Sequence, residues 1–229
     1  MYRQERNYEN LQKALFAGDR VGAFDFPKMQ PTNINIEEAR GLRWISFNKA
    51  ITESKPSECG VHFFIDDYQF ERVWKKPDKY ISILKRFKMV CSPDFSLYTD
   101  FPLAIQIYNQ YKNMWLARYW QENGIKVLPT ISWSNEKSFY WCFDGIPESE
   151  LVVLSTIGTQ KNLLSKARFK KGLNVAFDKL NPKACIIFTR NKIDFIEDIA
   201  KAFDVQAVQI INDNMARLAK ITKEDNKND

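Results

Sequence analysis

Two adjacent acids, Asp66 and Asp67, follow directly on the apolar run "GVHFFI" at 60–65, and another, Asp94, closes "FKMVCSPD" at 87–94. Carboxylates at such positions act as general bases or hold Mg2+ or Mn2+ through hard oxygen atoms. Asp213, at the end of "VQAVQIIND" (205–213), is a further acid of the same kind. Asp66, Asp67, Asp94 and Asp213 are therefore candidate catalytic residues, with Asp66 and Asp94 as candidate metal ligands. Each has an architectural alternative. In extended chain the side chains of 66 and 67 point to opposite sides, so at most one faces a pocket, and either acid suits the N-cap of a following helix. Asp94 follows Pro93 in a stretch that favours a turn through its own backbone. Asp100, ahead of Phe101-Pro102, reads as an N-cap with proline in the first helical turn.

A second group lies in "LSTIGTQKNLLSKARFKK" (154–171). An apolar run passes into hydroxyls and a glycine, and then into a helix start whose free amides and dipole favour a phosphate. Ser155, Thr156, Gly158, Thr159 and Lys161 are the candidate phosphate-binding residues, followed by Lys166, Arg168, Lys170 and Lys171. The alternative is an ordinary helix cap with lysines on a wet face. Ser132, Trp133 and Arg190 stand at the ends of two other apolar runs and are candidate substrate-binding residues.

What is missing narrows the chemistry further. The chain has one histidine, His62, inside an apolar run, which argues against Ser-His-Asp or Cys-His catalysis and against a His-rich metal centre. Cys59, Cys91, Cys142 and Cys185 are far apart, as buried reduced thiols are and zinc ligands or a disulfide framework are not. Neither GxxxxGK[ST] nor GxGxxG occurs. No zinc, haem or dinucleotide site is expected. Pro93-Asp94 matches the start of a widespread nuclease core, but "KVLPTISW" lacks the acid-x-lysine that such chemistry needs on the neighbouring strand.

The elements that must position these residues recur along the chain. Strand-like runs fall at 41–48, 60–67, 87–94, 125–133, 150–158, 184–191 and 205–213, with "RVGAFDFP" (20–27) as a candidate eighth. Helices are expected over 100–123, with Asn123-Gly124 as C-cap, over 159–180 with a break near Gly172, and over 192–203. One or two short helices should flank Pro77. The aromatic rhythm of Tyr108, Tyr111, Trp115 and Tyr119 reads as core packing, with base stacking as the alternative. Apolar strands alternating with helices indicate an α/β fold of parallel β/α repeats. An irregular (β/α) barrel is favoured over an open doubly wound sheet. We read one domain over 1–220 and a frayed polar tail over 221–229.

The net charge of +6 and the pI near 9.0 suit a nucleic acid or nucleotide as partner. The polar opening "MYRQERNYEN" has no apolar stretch behind it, and no run reaches membrane length, so a soluble cytoplasmic protein without a membrane partner is expected. The leading expectation is an enzyme on nucleic acid or nucleotides, working through strand-end carboxylates with Mg2+ or Mn2+. A non-enzymatic module binding nucleic acid or a host protein is the second, and a barrel enzyme on glycosidic bonds the third.

"CSPDFSLYTDFPLAIQIYNQYKNMWLARYWQENGIKVLPTISW" (91–133), "FYWCFDGIPESELVVLSTIG" and the later "FKKGL" and "LNP" together resemble a family of uncharacterised proteins, a domain of unknown function carried by bacteria, plasmids and phages. The similarity covers roughly residues 60–190. Members of that family often read "NRWLGRYWQ" where this chain has "NMWLARYWQ", so Met114 and Ala117 depart from the pattern. The resemblance implies a mobile-element setting, in which DNA replication, DNA modification and counter-defence are common tasks. It carries no residue roles with it.

Overall fold

The structure is a computed structural model, and it describes residues 20–211. Asp213 and the 221–229 tail lie outside the described residues. In chain order the elements are β1 (Arg20–Val21), β2 (Phe26–Pro27), α1 (Ile36–Arg40), β3 (Arg43–Ser46), β4 (Cys59–His62), α2 (Arg72–Lys75), α3 (Pro77–Leu84) and β5 (Met89–Cys91). There follow α4 (Leu103–Glu122), β6 (Val127–Leu128), β7 (Leu151–Ser155), α5 (Leu163–Leu180), β8 (Ala184–Thr189), α6 (Asp194–Ala202) and β9 (Gln206–Ile211). The chain is thus a mixed α/β protein with parallel sheets, and its described residues divide into two compact units.

The first unit comprises 20–30, 43–127 and 144–146. Its sheet has the order β3-β4-β5-β6. β3 runs parallel to β4 with Ser46 opposite His62, and β4 runs parallel to β5 with Val61 opposite Val90. Apolar side chains from successive strands are fully buried, as in Val61, Met89 and Val90. Parallel strands covered on both faces read as continuous apolar runs for this reason. Beyond the strand ends an aromatic row continues the core. Phe47 stacks on Phe63 at 5.0 Å, Phe63 meets Phe70 at 5.4 Å and Trp120 at 5.4 Å, and Phe70 meets Phe95 at 4.8 Å.

Two expectations are corrected in this unit. Residues 20–27 are not an eighth parallel strand but a tight antiparallel pair, β1 with β2. Gly22 and Asp25, both at positive φ, turn the chain back on itself, and Asp144 fills the space where a Cβ on Gly22 would stand. The long helix starts at Leu103 rather than 100, so Asp100 is not its cap. Pro102 is extended (ψ 141°) and itself occupies the N-cap position. A residue before proline is pushed out of the helical region, which keeps Phe101 from extending the helix backwards. Its other end is as expected: Asn123 caps it, and Gly124 follows at φ +77°. α2 and α3 abut at Pro77, which opens α3.

The second unit comprises 31–42, 128–143 and 147–211. β7, β8 and β9 form a parallel sheet in that order, with Leu151 opposite Ala184 and Ala184 opposite Gln206. Thr130 adds a parallel bridge to Val153. Every residue of β8 is buried, whereas β9 is half-exposed. Glu150, buried ahead of β7, accepts hydrogen bonds from the Thr32 amide and hydroxyl and from the Asn33 amide at 3.0–3.1 Å, which fastens the 32–33 turn to this unit.

α5 runs unbroken through Gly172, contrary to the expected break. The glycine is there for a neighbour: a Cβ at 172 would stand 2.1 Å from the indole nitrogen of Trp133. Trp133 also stacks on Phe169, one turn earlier in α5, at 5.6 Å. Gly172→Ala should therefore destabilise the protein by about 1–3 kcal/mol through overpacking, despite alanine's better helix propensity. A melting curve should show a drop of several degrees, and adding Trp133→Phe should recover part of it. An unchanged or raised Tm for Gly172→Ala would contradict this packing.

Candidate functional site

The carboxyl ends of β3, β4 and β5 carry one connected polar surface within the first unit. It is built by short-range bonds between residues that follow each strand. Ser46 Oγ donates to Asn48 Oδ1 (2.6 Å), Asn48 Nδ2 donates to Gln69 Oε1 (2.7 Å), and Gln69 Nε2 donates to Asp66 Oδ2 (3.4 Å). Asp66 is exposed, at the N-cap position of a single 3-10 turn over Asp67–Gln69, without a side-chain cap bond. Asp67 is half-buried and turns the other way, to the loop after β5. Its Oδ1 accepts from Ser96 Oγ (2.8 Å) and its Oδ2 from the Ser96 amide (3.1 Å). The two adjacent acids thus diverge, as an extended dipeptide requires. Asp94 is half-buried two residues before Ser96, and its charge adds to the burial that holds the Cys91 thiol far above its ordinary range.

The loop 92–101 is held from beneath by α4. Asn113 Oδ1 accepts from the Phe95 amide (2.8 Å) while its Nδ2 donates to the Phe95 carbonyl (3.3 Å). Asn109 Nδ2 donates to the Ser96 carbonyl (2.7 Å), and Gln106 Nε2 donates to the Phe101 carbonyl (2.8 Å). All three amides are buried. Lys112 lies on the same helix, nine-tenths buried, with its Nζ 3.6 Å above the Phe95 ring and 5.1 Å from the Tyr108 ring. Burial pushes this ammonium down to about 8, against the opposing pull of Asp67 and Glu71. The aromatic rhythm occupies other faces of α4. Trp115 is buried, and Trp74 on α2 meets Tyr108, Tyr111 and Trp115 edge-on at 5.4–6.4 Å. Met114 and Ala117 are fully buried, which suits apolar side chains where the resembling family's pattern has Arg and Gly.

Chemically, carboxylates and hydroxyls at one strand-end rim are hard oxygen donors. They suit Mg2+ or Mn2+, and Mg2+ needs only one or two carboxylates beside water and phosphate oxygens. Asp66 and Asp94 fit that role in donor type. Among the described residues no group of at least three His, Cys, Asp or Glu side chains is placed to hold an ion.

In the second unit the 155–161 residues are employed largely among themselves. Ser155 Oγ accepts from the Ile157 amide (3.2 Å). Thr156 is buried, with its Oγ1 3.0 Å from Thr189 Oγ1, and Thr159 Oγ1 donates to the Thr156 carbonyl (2.9 Å). Gly158 is at φ +76° in open space, and Lys161 is exposed. α5 begins only at Leu163, and the side chain of Asn162 accepts from the Ser165 amide at 2.8 Å as its cap. Ser132 and Trp133 are half-buried and Arg190 is exposed at the end of β8. The acids 66, 67 and 94 belong to the first unit, whereas 132, 133, 155–161 and 190 belong to the second.

Lys112, Asn109 and Asn113 went unmarked by strand-end reasoning because they sit in the middle of a helix. A signal was present. Gln106, Asn109 and Asn113 recur at three and four residues, a polar stripe on a helix that also carries an aromatic one. Two stripes on one helix mean that polar groups are buried as well.

A parallel-stranded α/β chain with a polar rim at its strand ends defines the class of protein. The chain belongs to the family described as a domain of unknown function, DUF4417, which it matches over residues 19–206. It is 38% identical over 168 residues to the "Gene 1 protein" of Mycobacterium phage D29, covering 73% of this chain. The chain spans 61% of that relative's length. It is 37% identical over 166 residues to the "Gene 1 protein" of Mycobacterium phage L5, covering 72% of this chain and 71% of the relative. The phage-type setting is thereby shown. No solved structure matches the chain.

His62 marks the base of the rim. It is buried at the end of β4, and its Nδ1 accepts from the Phe64 amide (3.2 Å), which requires an unprotonated nitrogen there. Burial, with Lys49 adding to it, pushes its pKa down to about 3. An unfolded histidine titrates near 6.5. Between these values the unfolded chain binds more protons, so stability is complete above about pH 6.5 and declines as pH falls, by up to about 1.4 kcal/mol per pH unit. With no other histidine in the chain, the effect is separable. The denaturation midpoint should fall between pH 7 and 5 in the natural protein and stay much flatter in His62→Gln. Parallel curves for the two would show that His62 is not held neutral.

Proposed function

We propose that the rim at the ends of β3–β5 is an active site for the phosphate chemistry of nucleotides or nucleic acid. Asp66 and Asp94 would hold Mg2+ or Mn2+, and Asp67 would orient Ser96. The observation that supports this reading is the run of hydrogen bonds from Ser46 through Asn48 and Gln69 to Asp66, beside the paired bonds from Ser96 to Asp67. These unite the ends of neighbouring parallel strands, the place where α/β folds gather functional groups. The net charge of +6 suits a polyanionic partner. Asp213 extends the same proposal as a further acid from outside the described residues. Each sheet alone has its strands in sequential order, as both a barrel and one half of a doubly wound sheet require, and we keep the barrel as the proposed closure. Work inside the cell suits four cysteines buried as free thiols. Among the described residues no helix is long and apolar enough to cross a membrane.

A second reading is a nucleic-acid-binding module using the second unit. It is favoured by the exposed Lys161, Lys166 and Lys170 at and after the start of α5, with Ser155, Thr156, Gly158 and Thr159 alongside and Arg190 and Trp133 as further contacts. It predicts binding that weakens steeply with salt and ignores divalent metal.

The two separate in one experiment. Thermal shift with nucleotides and with single- and double-stranded oligonucleotides, with and without Mg2+ or Mn2+, should reveal a metal-dependent ligand. Asp66→Asn and Asp94→Asn should each abolish the metal-dependent part while retaining the circular dichroism of the folded chain. Unchanged binding and turnover in both variants would sink the active-site reading. Metal-independent, salt-steep binding lost in Lys161→Gln/Lys166→Gln would establish the alternative.

A further inference from the structure

The buried amine on α4 has no acceptor in its own surroundings. Among the described residues, no atom accepts a hydrogen bond from Lys112 Nζ; its close contacts are the faces of Phe95 and Tyr108. An ammonium carries three donors and no acceptor, and burying it without a partner is costly. The acids nearby are engaged elsewhere. Both oxygens of Asp67 take bonds from Ser96, and Glu71 pairs with Lys75 at 2.8 Å. The opposing pull of these acids is outweighed by burial, since the amine stays well below its ordinary range. Ring faces offset part of a cation's lost hydration, on the order of 1–2 kcal/mol, against several for the burial itself.

The neighbours of Lys112 are by contrast satisfied. Asn109 and Asn113, on either side of it along α4, are committed to the Ser96 and Phe95 backbones. A fixed loop, an oriented serine hydroxyl and one uncommitted cation make an arrangement suited to an anion and not to self-association.

We propose that Lys112 is the anion-binding residue of the first unit, taking a phosphate of the ligand beside Ser96 and Asp94. This rests on the active-site reading above, and it moves the phosphate contact from the start of α5 to the middle of α4. Asp67 then has a positioning role, because its two bonds aim Ser96 and its charge keeps the amine partly protonated. The groups facing Lys112 are Asp67 from the 3-10 turn, Glu71 ahead of α2, and Tyr108 on α4, with Asp94 next to Phe95 in the loop.

Pyridoxal 5′-phosphate is a suitable probe, since it combines a phosphate with an aldehyde. The Lys112 amine adds to the aldehyde and water leaves; borohydride then delivers hydride to the imine and fixes a secondary amine for mass mapping. At pH 8 Lys112 should be labelled several-fold faster than the exposed Lys166 and Lys170, and pyrophosphate should protect it selectively. In direct binding of pyrophosphate and ATP, Lys112→Gln should weaken affinity at least about tenfold. Lys112→Arg, which remains charged, should keep most of it. Between pH 7 and 9 the natural protein should lose affinity as the amine deprotonates, and Lys112→Arg should not. Lys112→Met should bind no phosphate yet be as stable as the natural chain or more so, because it relieves a buried charge; a purely structural lysine would lower Tm on replacement. If Lys112→Gln binds pyrophosphate and ATP as the natural protein does while Asp94→Asn does not, the lysine assignment is overturned and the active-site reading stands. If the natural protein binds neither, both are overturned.

Discussion

The candidate site depends on a row of phenylalanines rather than on its own polar bonds. Phe47, Phe63 and Phe95 each follow their strands by one to four residues, and each is almost wholly buried. Phe63 occupies the centre, within 5.0–5.4 Å of Phe47, Phe70 and Trp120, and Phe70 passes the contact on to Phe95. Removing one such ring typically costs 3–5 kcal/mol, about three times what a typical hydrogen bond contributes on balance. The rings therefore set where the loops run, and the bonds among Ser46, Asn48, Gln69 and Asp66 register on a platform already in place. Function can vary at the rim because the platform does not rely on it.

This arrangement explains what could be read in advance. The apolar runs announced the parallel strands, since strands buried on both faces need no alternation, and every strand expected between 41 and 211 has a counterpart. The polar residues just past them sit at strand ends for the same reason. Three things could not be read. Residues 20–27 looked like another strand because turn geometry at Gly22 and Asp25 outweighs the β-forming residues around them. Gly172 looked like a helix break because its partner, Trp133, is 39 residues distant in sequence. Lys112 was invisible because what matters about it is the absence of an acceptor, a property of the surroundings rather than of spacing.

The hydroxyl-rich segment of the second unit shows the opposite case. Its composition suggested a phosphate cradle, but a cradle needs free donors. Thr156 reaches Thr189 across the ends of β7 and β8, Thr159 bonds back to Thr156, and Asn162 supplies the cap that α5 requires. A phosphate at that position would have to displace bonds that already close the sheet end and start the helix. Residue types alone do not distinguish donors that await a ligand from donors already spent on the fold.

α4 shows how the distinction is made physically. A helix that buries aromatic residues on some faces has no need to bury amides on another, and each amide adds a desolvation cost unless fully matched. Gln106, Asn109 and Asn113 are matched, one by one, to backbone groups of the loop 95–101, so their burial holds a segment that has no sheet or helix bonds of its own. Lys112 breaks that pattern on the same stripe. In a chain that satisfies its other polar groups there so completely, a costly unmatched cation beside the loop is better accounted for by ligand recognition than by folding, since an apolar side chain of similar length would stabilise the fold at least as well.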